Sequence, residues 1–357
     1  MRRSGWFLEE DDCTAMQIPG RSEMRVLLLA LCLAVIAGCA KPSIMVMQKE
    51  PGNSTEAARL RKVAVVPFSG RDGDKFTTEL ETLIAGIRID DRQFFEIVNR
   101  NRLDAVIEEQ KLSTSGAVSP ETMVNIGRLV GAKGIYTGDV VESNINTTHY
   151  RAERTKCVKI GNSICGKTRT YTVGCTKKDA VVKINPKLID VETGRIVYSE
   201  SYQGSETSSK CEDSKSSLAG DADMKNAARG KILQSIRRDI APHNIPVKIR
   251  LSDRTDGIVD KKLVERFEGA LEFAAGNRID RACEIWGELA AAGGDSVGLQ
   301  HNLGVCAEID GRLDEALTCL VKADRLTTSP DELVSESLRR IKADIARQHK
   351  LKAQNVD

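Results

Sequence analysis

"KVAVVPF", residues 62 to 68, decides the fold class. Val63 to Val66 is an unbroken apolar run closed by Pro67. A strand covered on one side alternates apolar and polar residues, so a continuous run reads as a central strand buried on both faces. "SGRDGD" follows as a loop, and Phe76, Leu80, Leu83, Ile84 and Ile87 then recur at helical spacing. "FFEIV" is a second strand, and Leu103, Val106 and Ile107 give another amphipathic helix. Ser119-Pro120 reads as an N-cap followed by proline at the first helical position. The helix it opens buries Met123, Ile126 and Val130 and stops at Gly131. "GIYTGDVV" is a third strand. A long polar stretch, Ser143 to Lys178, comes next. "AVVKINPKLIDVETGRIVYSESY" then reads as two strands around a tight turn at Glu192-Thr193-Gly194. Met224, Ala228, Ile232, Ile236 and Ile240 mark a helix, and "IPVKIRL" a closing short strand. Alternating strands and helices over residues 59–252 predict an α/β domain, a mixed sheet with helices packed against it.

Four of these stretches, "KVAVVPF", "FFEIVNRNRLDAVIEEQ", "IGRLVGAKGIYTGDV" and "INPKLIDVETGRIVYS", together resemble the CsgG-like lipoproteins, the family of the curli production assembly and transport channel. The resemblance implies an α/β periplasmic domain at the outer membrane. In the secretion channel, strands at the position of Ser143–Lys178 extend into hairpins that build a transmembrane barrel from many subunits. Barrel strands need about ten residues of alternating apolar and polar character. Ser143–Lys178 does not alternate in that way and is strongly cationic. A second hairpin would have to come from "GSETSSKCEDSKSS", which is too polar and too short. The channel's constriction sits on the loop after its first strand and uses aromatic and asparagine residues, and here that loop, Ser69 to Lys75, has neither.

Residues 256–350 carry an internal repeat. Ile279 and Leu313, Asp280 and Asp314, Ala282 and Ala316, and Ala270 and Gly304 are all 34 residues apart, and "RIDRACEIW" and "RLDEALTCL" occupy equivalent places. This is the tetratricopeptide period and predicts an all-α tetratricopeptide-like domain. Its small residues let paired helices approach, while Phe273, Trp286, Leu303 and Leu320 fill the gap. A helix over 331–349 reads as a polar-faced cap. Phe273, Trp286, Arg278 and Asn302 are candidate partner-binding residues. The bland alternative is a helical-hairpin domain without a ligand.

The compartment is written near the start. "MRVLLLALCLAVIAGCAKPS", from Met24, has one arginine, an apolar run from Val26 to Ala37, small residues and Cys39. This is signal-peptide anatomy, too short for a membrane-spanning helix of about 20 residues. Ile36-Ala37-Gly38-Cys39 resembles a bacterial lipobox, which implies lipidation of Cys39 and removal of residues 1–38. An ordinary secretory peptide is the alternative. Residues 1–23 are polar and carry Glu9, Glu10, Asp11 and Asp12, which points to Met24 as the translation start. Residue 40 is alanine and not aspartate, which by resemblance to lipoprotein sorting points to the outer membrane of a Gram-negative bacterium. Residues 39–58, with Pro42, Pro51, Gly52, Asn53 and Ser54, read as a lipid-anchored tether.

The net charge of +2 gives no global signal for nucleic acid, and 4% aromatic residues argue against base-stacking platforms. Of ten cysteines, Cys157, Cys165, Cys175 and Cys211 cluster in one polar region and read as two disulfides of open connectivity. Free thiols or a zinc site are the alternatives. Cys283, Cys306 and Cys319 read as buried apolar residues. Arg151, Arg154, Lys156, Lys159, Lys167, Arg169, Lys177 and Lys178 make the polar stretch a basic protrusion suited to anionic envelope material, or else a solvated hairpin tip.

"GNSICGKT", residues 161–168, fits the phosphate-loop pattern. A working loop needs a buried strand before it and a helix after it. The basic lead-in "RTKCVKI" and the β-favouring "RTYTVGC" that follows supply neither. His149, His243, His301 and His349 are scattered, and no serine lies in a nucleophile elbow. No catalytic residue, cofactor or metal is therefore expected. The reading is an assembly or scaffold lipoprotein facing the periplasm that binds envelope proteins and self-associates through its α/β domain. An oligomeric export channel is the alternative, and a nucleotide hydrolase the remote one.

Overall fold

A computed structural model describes residues 41–109, 120–161, 164–293 and 295–354. Cys39, the leader and the Ser119 cap lie outside them. The described residues fall into two compact units, one of 45–247 with 338–354, the other of 41–44 with 248–337.

In the first unit, β1 (Ser43–Glu50), whose first two residues belong to the second, is followed by α1 (Thr55–Arg59), β2 (Lys62–Val65), β3 (Ser69–Gly70) and α2 (Gly73–Gly86). Three two-residue strands follow: β4 (Arg88–Ile89), β5 (Arg92–Gln93) and β6 (Glu96–Ile97). Then come α3 (Arg100–Glu109), α4 (Pro120–Val130), β7 (Gly134–Gly161), β8 (Ile164–Asp190), β9 (Ile196–Ser199), β10 (Tyr202–Cys211), α5 (Asp221–Ile240) and β11 (His243–Arg250). The main sheet runs β10-β8-β7-β2-β6, with β3 on β7 and β9 on β8. It is mixed: β2 lies parallel to β6 and β7, whereas β7, β8, β9 and β10 are antiparallel neighbours.

The apolar run in β2 is explained by two covers. Val63 and Val65 point into one core with Phe76, Leu80 and Ile84 of α2 and Ala228, Ile232 and Ile236 of α5. Ala64 and Val66 point into the other with Leu103 and Ile107 of α3 and Met123, Ile126 and Val130 of α4. Each fully buried aliphatic side chain contributes roughly 1.5–3 kcal/mol, so both layers are held mainly by apolar burial. α4 ends at Gly131, whose φ of +72° suits glycine.

One expectation needs correction here. The segment 40–58 is not a plain tether: Ser43–Glu50 is a strand paired with β11, and Ser54 caps α1 by accepting from the Ala57 N–H. Pro51, Gly52 and Asn53 form only the joint between these elements. The basic protrusion over the polar stretch is built by β7 and β8, which continue through it as one long antiparallel ribbon. Thr168, Thr170, Tyr171, Thr172 and Val173 supply the β-branched and aromatic residues that favour this.

The second unit holds α6 (Lys261–Ala275), α7 (Ile279–Ala291), α8 (Val297–Ile309) and α9 (Leu313–Leu326). α10 (Glu332–Ala353) starts in this unit, and its residues from Leu338 onward belong to the first. That division differs from two consecutive blocks at 59–252 and 256–350. Ala270, Ala282 and Ala316 are fully buried. A Cβ on Gly304 would lie 2.8 Å from Leu320 Cγ, so close approach of α8 and α9 requires glycine there. Cys283 and Cys306 are not free apolar fillers: they form a disulfide joining α7 to α8, with Cα atoms 5.7 Å apart. Cys319 is a free, half-buried thiol.

Candidate functional site

The feature that stands apart from both cores is the β7–β8 ribbon. Its base is three strands wide, because β10 pairs with β8 up to Cys211 opposite Cys175. Beyond that rung only two strands continue, through residues 151–161 of β7, a reach of about 35 Å at 3.3 Å per residue.

Two disulfides fix this arm. Cys175–Cys211 closes the base across the β8–β10 pair, with Cα atoms 4.0 Å apart. Cys157–Cys165 closes the distal end, with Cα atoms 5.8 Å apart. A small apolar cluster of Val173, Cys175 and Cys211, with Ala152 and Tyr171 against it, seals the base. The segment after β10 folds over it: Glu212 accepts from the Gly174 N–H, and Asp213 accepts from the Tyr171 hydroxyl. Beside this disulfide is an open cleft of about 850 Å³ lined by His149, Tyr150, Arg151, Lys210, Glu212 and Leu218, among others. The sequence reading missed His149, Tyr150 and Lys210 here, since only the strand pairing brings them together.

The eight basic residues divide by position. At the base, carboxylates neutralise three of them: Lys178 pairs with Asp221 at 2.6 Å, Lys177 with Asp179 at 3.0 Å, and Arg154 with Asp213 at 3.6 Å. Asp179 is held below the usual carboxylate range, chiefly by the Thr207 hydroxyl and then by Lys177. Arg151, Lys156, Lys167 and Arg169 are exposed, and no ion pair joins them to described residues. Lys156 lies over the Tyr171 ring, 5.4 Å from its centroid. The register places Lys156 opposite Arg169, and Lys159 opposite Lys167.

The phosphate-loop pattern falls at the end of this arm. Gly161 ends β7, while Cys165, Lys167 and Thr168 lie in β8, with Cys165 disulfide-bonded. A strand and no helix follows Lys167, so the N-terminal helix amides that cradle a phosphate are not formed there. Asn162 and Ser163 lie outside the described residues. Among the described residues, no group of three or more His, Cys, Asp and Glu side chains is placed to hold a metal, and no helix is long and apolar enough to cross a membrane.

The partner-binding candidates of the helical unit separate. Trp286 and Asn302 are fully buried. Trp286 packs on Phe267 at 6.2 Å, and Asn302 donates to the Ser252 carbonyl and accepts from its N–H. Both are core residues, which corrects the expectation that they bind a partner. Phe273 remains 43% exposed, and Arg278 is exposed and bonded to Asp280. His301 is buried between Asn302 and Ser337, a structural position.

Comparison with known proteins gives one family and several remote structures. Similar solved structures include the LpoB C-terminal domain from Escherichia coli (13% identity, 43% of this chain, 94% of that one, TM-score 0.24). Lipoprotein GNA1162 from Neisseria meningitidis is 14% identical over 49% of this chain and 96% of its own, with a TM-score of 0.26. The PelC dodecamer from Paraburkholderia phytofirmans is 18% identical over 54% of this chain and 96% of its own, with a TM-score of 0.24. No curated protein matches. The family described as "Curli production assembly/transport component CsgG" matches residues 87–220, from the end of α2 through the ribbon to the segment that covers its base. The match spans little more than a third of the chain, and the ribbon lies inside it.

Proposed function

We propose that the chain is a lipid-anchored, non-enzymatic accessory or scaffold component of a Gram-negative envelope or secretion system, attached through Cys39 and facing the periplasm from the outer membrane. The observation that carries this reading is a CsgG-family domain whose projecting ribbon is closed by disulfides at both ends. Disulfides of this kind persist in oxidising compartments and are rare in the cytosol. The lipobox-like Ile36-Ala37-Gly38-Cys39 supports the anchor. Protein partners dock on exposed positions of the helical repeats, with Phe273 and Arg278 available and Trp286 and Asn302 not. The α/β unit self-associates.

One observation favours a second reading, an oligomeric export channel. The two-stranded arm is long enough, since a membrane strand needs about 9–11 residues. Its chemistry opposes that role, because a lipid-facing side must be apolar and here one face is cationic and the other carries threonines. Cross-linking of intact envelopes followed by detergent extraction separates the two. The scaffold reading expects a small oligomer recovered with partner proteins and no conductance in planar bilayers. A large ring with conductance contradicts it. A nucleotide hydrolase would lose ATPase activity in Lys167→Ala, and the strand at Lys167 gives no basis for such activity.

A further inference from the structure

Alternation along the ribbon sorts its side chains into two unlike faces. Successive strand residues point to opposite sides, and cross-strand partners share a side. Arg154 is opposite Tyr171 and Lys156 opposite Arg169, and Lys167 lies two residues from Arg169, so these five share one face. The other carries Arg151, Glu153, Thr155, Thr168, Thr170 and Thr172. A one-residue bulge at Val158 keeps Lys159 opposite Lys167, extending the row of cationic register positions.

This arrangement costs stability as it stands. Like charges directly opposite each other destabilise a strand pair. The ribbon places Lys156 beside Arg169, with Lys167 on the same face, next to the Cys157–Cys165 disulfide that holds the strands together. No described carboxylate relieves Lys156, Lys167 or Arg169. The cationic register positions lie two abreast, their backbones about 5 Å apart across the strands and about 7 Å apart along them. A flat, two-dimensional array fits a surface that presents phosphates in two dimensions better than a single-file polymer. Val158, 49% exposed at the bulge, adds an apolar side chain to the same stretch of the arm, as suits the boundary between head groups and acyl chains. Eight cations against Glu153 alone lie in residues 143–178 of a chain whose net charge is +2, so the rest of the chain is net negative and attraction concentrates on the arm.

We infer that the Lys156/Lys167/Arg169 face of the ribbon docks on the phosphate head groups of an anionic bilayer. The inference takes from the proposed function only the presence of a membrane nearby, and it does not require that Cys39 be acylated. The test uses the full chain with Cys39→Ser, mixed with phosphatidylcholine vesicles and with vesicles of phosphatidylcholine and phosphatidylglycerol at about 3:1. The readout is the ratio of protein bound to anionic over neutral vesicles, so that any uptake through the apolar leader cancels. The ratio is expected to exceed tenfold at low salt, to collapse at high salt, and to fall about 100-fold at most, toward unity, in the Lys156→Ser, Lys167→Ser, Arg169→Ser triple variant. Arg151→Ser, on the other face, is expected to keep most of it. The triple exchange Lys156→Arg, Lys167→Arg, Arg169→Lys retains the ratio and guards against misfolding. A wild-type ratio near unity, a triple serine variant that binds as wild type, or retention only by an immobilised acidic polymer overturns the proposal. Failure of Cys39 acylation alone leaves this result standing and overturns the proposed anchor.

Discussion

Tyr136 sits in the centre of the sheet, fully buried, with no hydrogen-bond partner for its hydroxyl among the described residues. Burial pushes its phenol well above the usual tyrosine range, so it stays neutral at any working pH. A buried hydroxyl without a partner costs about 1–3 kcal/mol, so Tyr136→Phe is expected to leave stability unchanged or raise it by about 1 kcal/mol. A thermal melt checks this, and a clear loss would mean the hydroxyl has a partner. Asp72 is the opposite case. It accepts from Ser143 at 2.7 Å, from Lys75 at 3.1 Å and from Lys225 at 3.2 Å, tying the start of α2 to the base of the ribbon and to α5. The Ser143 hydroxyl, and then the two lysines, hold its carboxyl well below the usual range against the opposing effect of burial. A depressed carboxyl stabilises the fold above its ordinary pKa near 4 and loses that contribution as pH falls below it. Asp72→Asn, which tolerates the residue's φ of 64°, should cost about 2 kcal/mol at pH 7. The gap to wild type should narrow steadily below about pH 4, read by denaturant titration. Neither residue was legible in the sequence: Tyr136 belongs to an apolar run like any other, and Asp72 finds its partners 71 and 153 residues away.

At the scale of elements, legibility followed burial. β2 was readable because both its faces are covered, and α2, α4 and α5 because one face of each is. The ribbon was not, since solvent meets both faces of its arm and leaves no apolar period to detect. Its signals were β-branched residues and cysteines, which the sequence reading took as a cross-linked polar protrusion. β1 was hidden by the Pro51-Gly52-Asn53 joint beside it. In the helical unit the 34-residue spacing was legible, whereas the Cys283–Cys306 bridge was not, because it depends on which faces of α7 and α8 meet. The Cys175–Cys211 disulfide joins β8 to β10 at the base of the arm. It closes a separation of 36 residues, for which the chain-entropy relation gives about 4 kcal/mol. Paired Cys175→Ser and Cys211→Ser exchange is expected to raise amide exchange in residues 150–175 and 205–218 while the β2 and α2 amides stay protected. Uniform loss of protection would show that the arm's base is part of the main cooperative core.

For the whole molecule, the α/β unit carries the ribbon as a cationic, disulfide-closed projection, and the helical unit leaves Phe273 and Arg278 exposed. The roles proposed for these parts all depend on where the chain is held. Intact mass spectrometry of the mature protein purified from envelopes tests that dependence directly. The account predicts a polypeptide that begins at Cys39 and carries diacylglycerol and an amide-linked acyl chain, and whose Cys39→Ser variant is not acylated. A mature chain with an unmodified Cys39, or one that still carries residues before it, would contradict the account.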